Sequence, residues 1–152
     1  MMPQDTRSVA RPGIVIAGGG LVGLACAAAL ADAVSAYCPV TVVDPVFTTG
    51  SKGDARASAL TAGSRHLLEA LGVWDEIAPQ AQSVHAMDIT DARLEQVLRP
   101  VFLSFVEVDE GEPIAHIVPN DAVHQALLAR VSKANVTLVG TSISRVQPSE
   151  GE

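Results

Sequence analysis

No apolar stretch of this sequence reaches the roughly 18 residues that a membrane-spanning helix needs. The nearest, Gly13 to Ala31, is broken by glycines and small residues that suit a strand followed by a helix. The opening MMPQDTRSVARPG lacks the apolar core of a secretory signal, so residues 1–12 read as a disordered lead-in. Cysteine is scarce: Cys26 and Cys38 are the two, and with four scattered histidines they match no metal-ligand spacing. No metal is expected, and reduced thiols of a cytoplasmic protein are favoured over a disulfide. Basic residues are also few. A net charge of -7 with no cluster of Lys and Arg argues against a nucleic-acid partner. Aromatics make up only 3%, so a core must be built from Val, Leu, Ile and Ala. With 48% apolar and 18% charged residues, the chain still has the composition of a globular domain.

What is present is a clear order of elements. Ile14 to Ala17 is a β-branched run suited to a buried parallel strand. Gly20 to about Ala33 reads as a helix, and Val40 to Val43 as a second strand ended by Asp44 and Pro45. That is one parallel βαβ crossover. VFTTGSKGD reads as loop. Thr61 to Leu71 reads as a helix with Leu67, Leu68 and Leu71 on one side, and Gly72 as its left-handed cap with Val73 in apolar contact. A short helical turn is expected within Val73 to Ala81. From Ser83 the pattern alternates, with Met87 and Ile89 apolar between polar neighbours. Residues 83–118 therefore read as antiparallel strands, with DEGEP as a turn. Asn120 opens a helix to about Lys133 whose apolar stripe is Val123, Leu127, Leu128 and Val131. Asn120 or Asp121 would cap it. Val136 to Val139 is a further buried run, and Ile143 to Val146 begins another segment. The fold class expected is α/β, a Rossmann-like domain with a parallel sheet and an inserted antiparallel segment. Its parts are a dinucleotide-binding βαβ region over 13–82, antiparallel strands over 83–118, and a return helix and strands over 119–152.

Gly18, Gly20 and Gly23 form G-x-G-x-x-G between the first strand and the first helix. Gly18 permits a sharp turn, Gly20 lets a pyrophosphate approach the backbone, and Gly23 lets helix and strand pack closely. The helix N-terminus adds unpaired N–H groups and a partial positive charge. Asp44 follows at the end of the second strand, at the distance expected of the acid that binds a ribose. An acid there disfavours a 2′-phosphate, so the adenosine diphosphate half of FAD or NAD fits better than NADP. The bland reading of the same residues is a tight turn with Asp44 as a strand-end cap.

The glycine turn and Asp44, followed by DARASALTAGSRHLLEALGVWDEI from Asp54 to Ile77, resemble the ubiquinone-biosynthesis hydroxylases. These are FAD-dependent aromatic monooxygenases of the polyprenyl-methoxyphenol hydroxylase type, with the para-hydroxybenzoate hydroxylase fold. The matching residues are Asp54, Arg56, Leu60, Leu71, Gly72 and Trp74, and the resemblance runs from about Gly13 to Gly140. It implies FAD extended over the glycine turn, with Asp44 on the adenosine ribose, Arg56 near the flavin and pyrophosphate, and Asn120 also touching FAD. The same two residues have plainer readings: Arg56 as a surface partner of Asp54, and Asn120 as a helix cap. Trp74 is expected in the core, and His66, His85 and His116 as solvated or packed. No catalytic residue is assigned.

The resemblance further implies that NAD(P)H reduces the flavin and that a flavin hydroperoxide passes one oxygen from O₂ to a polyprenyl phenol. Strands 83–118 would then belong to the substrate-side sheet. An apolar substrate of that kind leaves room for peripheral contact with the inner face of a membrane. The later D-G and G-D motifs of such enzymes are absent, so the chain reads as an N-terminal fragment, inactive and weakly FAD-binding alone, and inclined to self-associate. Two rival readings remain: the nucleotide-binding domain of an NAD-dependent dehydrogenase, and a non-catalytic nucleotide-binding module.

Overall fold

The structure is a computed structural model that describes residues 13–50, 53–90, 97, 100–106 and 111–148. The chain divides into two compact units, Met1–Ser51 with Leu128–Glu152, and Lys52–Leu127.

The first unit is the parallel crossover. Strand β1 (Ile14–Ala17) leads through the glycine turn into helix α1 (Leu21–Val34), and strand β2 (Val40–Val43) returns beside β1. A strand near the end of the chain, β8 (Val136–Val139), adds to the other edge of β2, giving the parallel order β1-β2-β8. The register aligns Ile14 with Val40 and Val40 with Val136. Alanines make this packing close: Leu24, Ala27, Ala28 and Ala31 of α1 are buried, as are Val40 and Val42 of β2. Small side chains on the inner stripe bring the helix axis near the sheet.

The stretch after β2, expected as loop throughout, begins with one helical turn, α2 (Val46–Thr49). Its first amide is capped by Asp44 and its Thr48 hydroxyl donates to the Gly140 carbonyl at 2.9 Å. That second tether comes from residues 92 positions away, which no local pattern could reveal.

The second unit is antiparallel. Strand β3 (Ala57–Thr61) precedes α3 (Ala62–Ala70), so the helix expected from Thr61 is shorter and the strand before it was not foreseen. ASALT alternates only in small and medium residues, and its strand character comes from pairing with β7 (Ala115–Pro119), not from its own pattern. Leu68 and Leu71 are buried, but Leu67 is 49% exposed. It sits a helical step away from the stripe that Leu68 and Leu71 share. Gly72 adopts φ 71°, the left-handed cap expected of it, and Val73 behind it is buried. A turn α4 (Trp74–Ile77) and a 3-10 turn (Ala78–Gln80) follow.

Strand β4 (Gln82–Val84) pairs with the far edge of β7, giving the order β3-β7-β4. A separate hairpin joins β5 (Ala86–Thr90) and β6 (Val101–Val106). Its pairs Met87–Phe105 and Ile89–Leu103 stack apolar residues on one face. Of the DEGEP turn, Asp109 and Glu110 lie outside the described residues, while Gly111 turns with φ 107°. The expected lead-in over residues 1–12 is likewise outside them. Helix α5 (Asn120–Ser132) begins in this unit and ends in the other, with Val123, Leu127 and Val131 buried. Ile143 to Val146 forms neither strand nor helix.

Candidate functional site

The glycine turn is built as its spacing requires. Gly18 takes φ 112°, a conformation that side-chain-bearing residues rarely adopt, and its N–H is held by the Val43 carbonyl at 2.9 Å. At Gly23 an added Cβ would lie 2.0 Å from the Gly18 carbonyl oxygen, so helix and turn touch backbone to backbone. At Gly20 an added Cβ would meet nothing within 4 Å. Gly20 is exposed and forms the N-cap of α1 without a side-chain cap. The start of α1 thus has open space where a side chain at position 20 would stand. That fits the diphosphate of a dinucleotide.

Asp44 does turn toward this cradle. Its Oδ2 accepts the Gly19 N–H at 2.7 Å, and its Oδ1 accepts the Val46 N–H at 2.8 Å. The carboxylate thus does the plain work read from the sequence, capping the strand end: it ties the glycine turn to the end of β2 and starts α2. Carboxylate oxygens accept more than one hydrogen bond, so this grip is compatible with a ribose hydroxyl as well. The ring of Phe47 packs against Gly19, where a Cβ would lie 2.5 Å from it, and so backs the turn.

The other two expected residues lie in the second unit, around Asp54. Arg56 forms a two-pronged ion pair with it: Nε donates to Oδ1 and Nη2 to Oδ2, both at 2.7 Å. The Asn120 amide donates to the same Oδ2 at 2.9 Å and accepts the Ser58 hydroxyl at 2.6 Å. Asp121 accepts the Asp54 N–H at 2.7 Å. The Arg56 guanidinium holds the Asp54 carboxyl well below its ordinary range, with help from Asn120, and the pair raises Arg56 in turn. The plain reading of Arg56 is therefore present, as the partner of Asp54, whereas Asn120 is the first residue of α5 but turns its side chain to Asp54 and Ser58. Ser58, Asp54 and Asp121 were not singled out as site residues. Apart from the Asp54–Arg56 pair, the bonds that join them span more than 60 positions and leave no local signature.

The second unit also holds a groove of about 460 Å³ lined by Ala59, Thr61, Met87, Phe105, Ala115 and Ile117 among others. It lies along the β5–β6 hairpin and strands β3, β4 and β7, and its lining is almost wholly apolar. His116 is buried on β7, edge-on to Trp74 with ring centres 5.1 Å apart. Its Nδ1 has no hydrogen-bond partner. Burial, and then the charges of Arg65 and His85, push its pKa below the ordinary 6.5. His66 instead lies on the surface beside Glu112, Nε2 to Oε1 3.0 Å. Among the described residues no helix is long and apolar enough to cross a membrane.

The family described as FAD binding domain matches residues 12–149. Ubiquinone hydroxylase UbiL of Rhodospirillum rubrum is 30% identical over 120 residues, which are 79% of this chain and 27% of that protein. The 3-demethoxyubiquinol 3-hydroxylase of Escherichia coli is 42% identical over 73 residues, 47% of this chain and 18% of that protein. The chain thus spans roughly a quarter or less of the length of these curated relatives. Among solved structures, PqsL from Pseudomonas aeruginosa superposes with a TM-score of 0.65 at 19% identity, over 91% of this chain and 35% of that one. At that identity the likeness establishes a shared fold.

Proposed function

The chain belongs to the FAD-binding-domain family, and we propose that it is the nucleotide-binding part of an FAD-dependent monooxygenase that hydroxylates a polyprenyl phenol in ubiquinone biosynthesis. The observation that carries this reading is the open cradle at Gly20, bounded by the left-handed Gly18 and tied by Asp44. In it, Gly18, Gly20 and Gly23 allow the approach of the diphosphate, the α1 amides donate to it, and Asp44 accepts a ribose hydroxyl. The family resemblance, on which this part of the proposal rests, gives Arg56 the role of a cation for the phosphates, with Asn120 in support.

When bound, FAD supplies the activation of O₂, after reduction by NAD(P)H. What the protein contributes is binding, orientation and exclusion of water. The apolar groove along β5, β6 and β7 suits the hydrocarbon part of a phenol: it has room for a small ligand, and among its described lining residues Thr61 alone has a polar side chain. A substrate so apolar partitions into lipid, and the reading therefore includes a cytoplasmic enzyme that works at times against the inner membrane face. The similarity to two enzymes named for ubiquinone-type substrates supports the substrate class.

The test is a melting-temperature series on the chain with FAD, NAD and ADP. FAD is expected to stabilise most, with ADP contributing part of the shift. A larger shift with NAD would instead favour a dehydrogenase domain. A shift with ADP alone would favour a nucleotide-binding module.

A further inference from the structure

Asp54 has no acceptor capacity left for a ligand. A carboxylate offers about four lone-pair positions. Here Oδ1 accepts the Arg56 N–H at 3.1 Å and Nε at 2.7 Å, while Oδ2 accepts Arg56 Nη2 at 2.7 Å and Asn120 Nδ2 at 2.9 Å. The orientation of the Asn120 amide follows from chemistry, because an ionised carboxylate only accepts and must face the NH₂ end. Its other end accepts the Ser58 hydroxyl, and Asn120 itself is buried. The Asp54 backbone is fixed from behind by the Asp121 carboxylate. Everything in this cluster converges on one group that remains in solvent: the Arg56 side chain is 82% exposed. With Nε and Nη2 engaged, its Nη1 edge is the one left to point outward.

An exposed arginine ordinarily spreads over many rotamers, and ordering it at the moment of binding an anion opposes that binding. A two-pronged carboxylate partner, itself anchored, removes that penalty beforehand. We propose that Asp54 is a positioning residue that holds Arg56 ready for an anionic ligand, and that Asn120 acts on the ligand only through Asp54. The inference rests on the reading above, in which that anion is the diphosphate of FAD. Asn120, for which the resemblance implies a direct cofactor contact, has its amide turned inward to Asp54 and Ser58 instead.

A double-mutant cycle on the full 152-residue chain tests this, read by flavin fluorescence on titration with FAD. Asp54→Asn and Arg56→Ala are each expected to raise the FAD Kd about tenfold, the scale of one charge-assisted hydrogen bond. The double variant should bind no worse than Arg56→Ala alone, and Asn120→Ala should weaken binding in the parent but not in the Asp54→Asn background. Should Asp54→Asn not fold, Asp54→Glu, which keeps the charge but displaces the carboxylate by one methylene, enters the same cycle. Additive losses would overturn the inference, since Asp54 would then act independently of Arg56. So would an unchanged Kd in Asp54→Asn beside a raised one in Arg56→Ala, although the role of Arg56 would survive. An unchanged Kd in Arg56→Ala would remove both.

Discussion

At the scale of single residues, Gly23 packs the fold while Gly20 faces open space, which the proposed function gives to the ligand, although one motif contains both. A methyl group at Gly23 would lie 2.0 Å from a backbone oxygen, which no rotamer change relieves. Gly23→Ala is expected to destabilise the chain by about 1–3 kcal/mol, seen as a lower urea midpoint. Asp44→Ala removes the acceptor of both the Gly19 and the Val46 amides, which are only part-buried. A loss of about 1–3 kcal/mol is expected in the same measurement, with weaker FAD binding beside it. An unchanged midpoint would show that water replaces the carboxylate without penalty. The three glycines and Asp44 were legible in the sequence because their order and spacing are local. The structural task of Asp44 was legible only as a strand-end cap, since nothing in the spacing says which amides the carboxylate will meet. Gly140 was also missed: a Cβ there would lie 1.8 Å from the Thr48 hydroxyl oxygen, a contact between residues far apart in the chain.

At the scale of elements, the βαβ crossover, the cap at Gly72 and α5 could be read because apolar period and turn residues agree within each. Strand β3 and helix α2 could not, because each depends on a distant partner: β7 for one, Gly140 for the other. Strand β7 holds a group that makes stability depend on pH near neutrality. Its His116 is buried beside Trp74 and held neutral, with its folded pKa below the ordinary 6.5. The unfolded chain therefore binds the proton first as pH falls. The contribution of this group to stability is fully present above about pH 6.5 and is lost as pH drops below it. Glu112, lowered from the ordinary 4.5 mainly by Arg65, adds a loss that begins only near its own unfolded value. Urea unfolding between pH 7.5 and 5 should show the decline in the parent chain, and His116→Gln should flatten it. A decline of equal depth in the variant would place the response on another group.

At the scale of the whole molecule, the hairpin β5–β6 is exposed along both strands, with Phe102 77% and Val106 60% exposed. Apolar surface of this kind on a sheet edge pairs with other surfaces. Sedimentation velocity is expected to show species heavier than the 15.7 kDa chain that grow with concentration, and Phe102→Glu should reduce them. One 15.7 kDa species at every concentration would contradict this. The central claim is simpler than any of these: the backbone cradle at Gly20 holds the diphosphate of FAD. A fluorescence titration of FAD into the parent chain and Gly20→Ala, with a melt of each, tests it most directly. The account predicts saturable binding by the parent, binding at least about tenfold weaker in the variant, and melts that nearly coincide because the added methyl enters open space. Equal FAD affinity in the two chains would contradict it.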